Sequence, residues 1–184
     1  MHHVSLDGDW QLTYFREGEY AVRHPDDLAA AGAPAVAAQV PGNVELDLQR
    51  AGVITEPFYA GNIRRLRPFE FYEWWYTREF DVPAAPEGHG WRIVFDGLDT
   101  VATIWINGHE AGRSRNMLVE HSWDVTGLLR PGESNRIAVR IGSPLNYARR
   151  FRYDAVTVGP EHRHEMLFVR KAAHMGGWDI MPRA

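Results

Sequence analysis

Trp178 and Asp179 form the pair in this chain best suited to holding a sugar. The apolar face of a sugar ring stacks on an aromatic plane, and a carboxylate beside it accepts hydrogen bonds from the hydroxyls. Gly176 and Gly177 before the pair and Pro182 after it make the segment a flexible, exposed loop, an odd place for a purely structural Trp. Trp74 and Trp75 are a second aromatic candidate. Neighbours on a strand point to opposite faces, so the expectation is one ring in the core and the other covered by a loop.

His162 and His164, flanked by Glu161 and Glu165, have the chemistry of metal ligands. A zinc site needs three or four converging ligands, and no distant third is identifiable, so a solvated polar face is expected and no metal. Carboxylates are plentiful, but nothing singles out two that would converge across a sugar ring as a glycosidase pair. Gly-x-Ser-x-Gly, a phosphate-binding Gly-rich loop and His-Glu-x-x-His are all missing from the sequence. The chain reads as one without catalytic residues and without a cofactor.

These residues need a scaffold, and the pattern supplies strands. Asn107-Gly108 between apolar runs is a strong hairpin signal, because both central residues of a type I′ turn take positive φ. Around it lie further alternating runs: 5–15 with Trp10, Leu12 and Tyr14 on one face, 35–40, a strand from Tyr72, 91–95, 119–125, and 137–141. The run from Tyr72 puts Trp74, Tyr76, Arg78 and Phe80 on one face and Trp75, Thr77 and Glu79 on the other, which leaves the core face open. One helix is expected over 44–51, with Gly52 as its stop, and a short helical turn over 126–132 closed by Pro131-Gly132. Residues 53–71 form a long irregular connection, of the kind that is usually functional or packed as an Ω-loop. Residues 161–175 fit a helix or an extended segment along a sheet edge. About eight short strands with few helices argue an all-β sandwich, and a jelly roll fits that count.

The 184 residues, 1–184, read as a single domain, long enough for a full core. A net charge of −4 leaves no basic footprint for nucleic acid. With no cysteine, disulfides and thiolate chemistry are excluded. No signal peptide and no apolar run long enough to span a membrane is visible, so the chain as given reads as cytoplasmic and without a membrane partner.

The run from Phe95 to Met117, Phe-Asp-Gly-Leu-Asp-Thr-Val-Ala-Thr-Ile-Trp-Ile-Asn-Gly-His-Glu-Ala-Gly-Arg-Ser-Arg-Asn-Met, together with Trp-Asp-Val-Thr-Gly-Leu-Leu-Arg-Pro-Gly over 123–132, closely resembles the N-terminal sugar-binding domain of glycoside hydrolase family 2. Further matches point to its β-mannosidase-like branch. They are Leu-Asp-Gly-Asp-Trp at 6–10, Val-Pro-Gly-Asn-Val at 40–44, Glu-Pro-Phe-Tyr at 56–59 with Asn62, Val-Arg-Lys-Ala at 169–172, and Gly-Trp-Asp at 177–179.

The resemblance implies a jelly roll similar to galactose-binding domains, followed in the parent enzyme by an immunoglobulin-like domain and a TIM barrel that carries the two catalytic glutamates. It implies a non-catalytic fragment of a retaining exo-glycosidase. It assigns Trp178 and Asp179 to a Trp-Asp pair that contacts the terminal sugar, with Ile180 and Met181 where the family has Trp and Gly. Arg170 and Lys171 match an Arg-Lys segment that would support this loop, by pairing with Asp179 or by orienting it, or would simply be surface charges at a domain junction.

Three readings follow. The first is an accessory sugar-binding domain that completes a substrate pocket for a terminal hexose, mannose being the family's, and packs on the downstream catalytic domain. The second is a self-sufficient carbohydrate-binding module. The third is a purely structural domain.

Overall fold

The computed structural model describes residues 3–84, 88–151 and 167–172. Among the described residues eight strands form in chain order: β1 (Gly8–Arg16), β2 (Ala35–Val40), β3 (Tyr72–Asp81), β4 (Arg92–Phe95), β5 (Val101–Ile106), β6 (His109–Ser114), β7 (His121–Asp124) and β8 (Ser134–Gly142). Six of them make an antiparallel sheet in the order β2-β1-β3-β8-β5-β6, and β4 and β7 pair as a second, two-stranded sheet. The helices are short: α1 (Leu28–Ala31), α2 (Val44–Arg50) and α3 (Pro144–Ala148), with 3-10 turns at Pro25–Asp27 and Asn62–Phe71. The fold is the expected all-β sandwich of jelly-roll type.

The main core lies between the sheets. Trp10, Leu12 and Tyr14 of β1 meet Trp74 and Tyr76 of β3, Ile104 and Ile106 of β5, and Ile137 and Val139 of β8. Ile93 from β4, Val125 after β7, and Leu48 from α2 close the opposite side. The helix α2 forms where its caps dictate. The Asn43 side chain accepts a hydrogen bond from Leu46 N, and Gly52 follows at φ 71°, so the chain leaves the helix at the expected position.

A second cluster sits on the outer face of the large sheet. Phe15, Trp75, Trp105 and Ala138 are covered by the 17–34 segment through Val22, Tyr20, Leu28, Ala31 and Ala33. Trp75 stacks on Trp105 with ring centroids 5.3 Å apart. Trp74 and Trp75 therefore divide as expected, one in the core and one beneath a loop. Because β3 is buried on both faces, its alternation is blurred in the sequence.

Beside Trp75, Arg140 joins the Glu73 carboxylate and reaches Glu17 at 3.0 Å. Burial pushes the Glu73 carboxyl up, and the Arg140 guanidinium offsets part of that shift.

The hairpin between β5 and β6 takes the expected turn, with Asn107 at φ 50° and Gly108 at φ 81°. Asn107 does more than turn the chain. Its amide donates to Leu128 O and to Asn135 Oδ1, each at 2.8 Å, and its Oδ1 accepts from Arg136 N at 2.9 Å. Asn135 is 1% exposed, so its oxygen depends on such partners. Asn107→Gly keeps the backbone geometry and loses only the hydrogen bonds. Asn107→Ala loses both. Chemical denaturation should show a loss of about 1–2 kcal/mol for Gly and roughly 1 kcal/mol more for Ala. Equal losses would mean that the turn conformation is irrelevant.

Residues 126–132 hold a single helical turn and extend to no regular helix. Leu128 N and Leu129 N both bond Val125 O, and Gly132 N bonds Val82 O, which draws the segment across to the end of β3. Among the described residues no helix is long and apolar enough to cross a membrane.

Candidate functional site at one end of the sandwich

Antiparallel register brings one set of strand ends together. Arg16 at the end of β1 pairs with Tyr72 at the start of β3, and Gly142 at the end of β8 pairs with Val101 at the start of β5. Ser114, at the end of β6, pairs beside them with Ala102. The turn preceding β5, with Asp99 and Thr100, and the turn following β6, with Arg115 to Met117, therefore emerge at the same end.

The turn after β6 is held by its own polar groups. Ser114 Oγ lies 2.7 Å from His121 Nε2, and that nitrogen lies 2.6 Å from Asn116 O. A carbonyl only accepts, so Nε2 carries the proton and donates to it. Ser114 thus faces a protonated nitrogen, and the pair orders a turn rather than activating a nucleophile. The His121 ring lies flat against Trp123, with centroids 5.7 Å apart. Gly112 is required beneath that indole, where a Cβ would stand 2.2 Å from the Trp123 ring.

Residues 167–172 dock onto this turn. Met117 N donates to Arg170 O at 2.9 Å and Arg170 N to Arg115 O at 3.3 Å, a parallel bridge centred on Asn116 and Arg170. Val169 is buried, and Phe168 stacks on Phe151 at 4.8 Å. Of the helical and extended alternatives for 161–175, the described part is neither throughout: Leu167 is in 3-10 conformation, a turn follows, and Arg170 makes a single isolated bridge.

Lys171 then places its ammonium 2.8 Å from Asp99 Oδ2, with the two side chains 17% and 29% exposed. Asp99 Oδ1 also accepts from the Thr100 hydroxyl. Lys171 is thus committed to a carboxylate on the turn before β5, while Arg170 is exposed and anchors the segment through its backbone. The two residues singled out in the sequence do different work, and the partner of Lys171 lies 72 positions away, where no local pattern could signal it.

Trp178 and Asp179 lie outside the described residues, as do His162 and His164. Trp74 and Trp75 are 8% and 0% exposed and offer no platform to a ligand. Among the described residues no three His, Cys, Asp or Glu side chains group to hold a metal ion. What the arrangement shows is a tether: backbone bonds, a buried Val and an ion pair fix the chain seven residues before Trp178.

Residues 10–184 match the family described as glycosyl hydrolase 2 galactose-binding domain-like, and the chain belongs to it. Among relatives, it is 36% identical over 186 residues to β-mannosidase B of Thermothelomyces thermophilus, covering 97% of this chain and 20% of that protein. It is 32% identical over 188 residues to the β-mannosidase of Rattus norvegicus, covering 97% of this chain and 19% of that one. Among solved structures, the β-D-mannosidase of Dictyoglomus thermophilum superposes over 100% of this chain and 21% of its own, with TM-score 0.78 and 28% identity. A β-glucuronidase of Ruminococcus gnavus, at TM-score 0.52 and 22% identity over 76% of this chain, shares the fold. The chain spans about a fifth of the length of these relatives and corresponds to the N-terminal domain of family 2 β-mannosidase-like enzymes.

Proposed function

We propose that this chain is the non-catalytic sugar-binding domain of a β-mannosidase-like retaining exo-glycosidase, completing the pocket for the terminal sugar with Trp178 and Asp179. The catalytic glutamates then belong to a downstream domain of the same polypeptide, and the enzyme works in the cytoplasm. The observation that carries the reading is the tether at 168–172. Backbone bonds and the Lys171–Asp99 pair fix the chain seven residues before Trp178 in sequence, and a fixed base favours a reproducible position for binding groups that follow it. Identity to β-mannosidases over nearly the whole chain supports the choice of sugar.

The test is a panel of 4-nitrophenyl glycosides offered to the longer polypeptide and to the isolated chain. The longer polypeptide should hydrolyse the β-mannoside best, with retention of anomeric configuration by NMR, and the isolated chain should hydrolyse none. Mannose titrated into the isolated chain should bind weakly or not at all, since most of the pocket wall is elsewhere. Saturable binding of mannose to the isolated chain, abolished by Trp178→Ala, would instead establish a self-sufficient binding module.

A further inference from the structure

Phe58 and Tyr59 are 86% and 74% exposed, the two most exposed large apolar side chains among the described residues. They stand at the tip of a built turn. Glu56 accepts from Phe58 N through its carboxylate at 3.2 Å and from Tyr59 N through its carbonyl at 3.3 Å. Asn62 donates its amide to Glu56 O at 2.9 Å and its backbone N–H to Tyr59 O at 3.1 Å. Ala60 takes φ 51°, which reverses the chain directly behind the two rings. Gln49 of α2 donates to Glu56 Oε2 at 2.8 Å and fixes the turn to the helix.

Leu46 shares a face of α2 with Gln49, three residues on, and Val53 lies just past the Gly52 stop, so exposed apolar side chains continue beside the turn. Leu46 is 52% and Val53 43% exposed, while Leu48 points into the core. Arg64 and Arg65 are exposed on the same connection and form no ion pair among the described residues.

We propose that this turn is the docking surface by which the domain packs on a further domain of its own polypeptide, inserting Phe58 and Tyr59 into an apolar depression rimmed by carboxylates that pair with Arg64 and Arg65. The inference rests on the reading of the chain as one domain of a longer enzyme, and it names the surface used. Rigid aromatics with few rotatable bonds, beside arginine, are the side chains that carry most interface energy. The turn is already ordered by Glu56 and Asn62, so little freedom is lost on contact.

Covalent connection decides among occupants. Phe58 and Tyr59, the anchors of the patch, offer about 300–500 Å² between them, and a linked partner supplies the high effective concentration at which a contact of modest size holds. The relatives are about five times as long as this chain, so a covalently linked partner is what their architecture provides.

Hydrogen exchange of residues 53–65 tests this. In the longer polypeptide their amides should exchange about tenfold more slowly, or slower still, than in the isolated chain. The double change Phe58→Ser with Tyr59→Ser should return them to the rate of the isolated chain, and Arg64→Glu with Arg65→Glu should do so in part. The melting temperature of the isolated chain should be unmoved by either pair, which separates lost docking from lost folding. Equal exchange in the two forms overturns the proposal. So does a dimer of the isolated chain that the serine changes abolish, or protection that appears only when mannose is added to the isolated chain. Glycoside hydrolysis is read separately: protection at 53–65 with no dependence of hydrolysis on Asp179 would sink the sugar-pocket reading and leave the docking surface standing.

Discussion

Asp179→Asn in the longer polypeptide is expected to lower kcat/KM on a β-mannoside about 10- to 100-fold, the worth of a charged hydrogen bond to a sugar hydroxyl at roughly 1.5–3 kcal/mol. Lys171→Met is expected to lower it about tenfold without touching sugar, by loosening the base that precedes Trp178 and Asp179 in the chain. The ion pair is mostly shielded from solvent, so its loss should also cost the isolated chain about 1–2 kcal/mol.

The distinguishing measurement is the double variant. If Lys171 acts through the position of Asp179, Asp179→Asn leaves little for Lys171→Met to remove, and the combined loss stays close to that of Asp179→Asn alone. Lys171→Arg, which keeps a cation opposite Asp99, should restore most of the rate. Losses that multiply would show that the tether and the loop act independently. Activity indifferent to Asp179 would leave the domain a structural one.

The same tether shows where the sequence was readable and where it was not. Turns and caps set by one or two residues were legible. Asn107-Gly108 folds as the expected hairpin, β2 spans the expected residues, and Asn43 and Gly52 bound α2. Each of these depends on backbone preferences within a few residues.

Contacts across the chain were not legible. Asp99 and Lys171 meet because β5 starts and β6 ends at one end of the sandwich and the chain returns there, which only topology determines. Phe15 belongs to the outer cluster because the 17–34 segment folds back over it, a segment whose Ala and Pro content reads simply as loop. Residues 62–71 form a 3-10 turn with Pro68 inside, lacking the 3.6-residue period by which a helix is recognised. The expected strand at 119–125 begins only at His121, because the side chains of Ser114, Asn116 and His121 hold the preceding residues in a turn.

That outer cluster sets the largest stability effect. Trp75 is 0% exposed on a face of the sheet that most sandwiches leave to solvent. It stacks on Trp105, and the Arg140 guanidinium lies 5.9 Å from its ring centroid. Trp75→Ala removes the centre of the cluster and leaves a void between the sheet and the 17–34 segment, and the expected loss is about 3–5 kcal/mol. The covering segment is held at its ends, where Arg140 and Asn146 reach Glu17 and Tyr14 N donates to Pro34 O at 3.1 Å. Between them its polar anchors are His24 Nε2, 2.7 Å from Gly108 O at the hairpin tip, and Arg136, which donates to Pro25 O at 3.1 Å and pairs with Asp26.

The void therefore has a specific consequence: amides within 20–33 should exchange faster than those of β1 and β3, because the segment opens before the sheet does. Trp75→Phe, which keeps an aromatic against Trp105, should lose about half as much. Denaturant midpoints for the two variants and peptide-resolved exchange over 17–34 decide the matter. Uniform acceleration across the whole sheet would show that the outer cluster is one cooperative unit with the core, and that the covering segment cannot open alone.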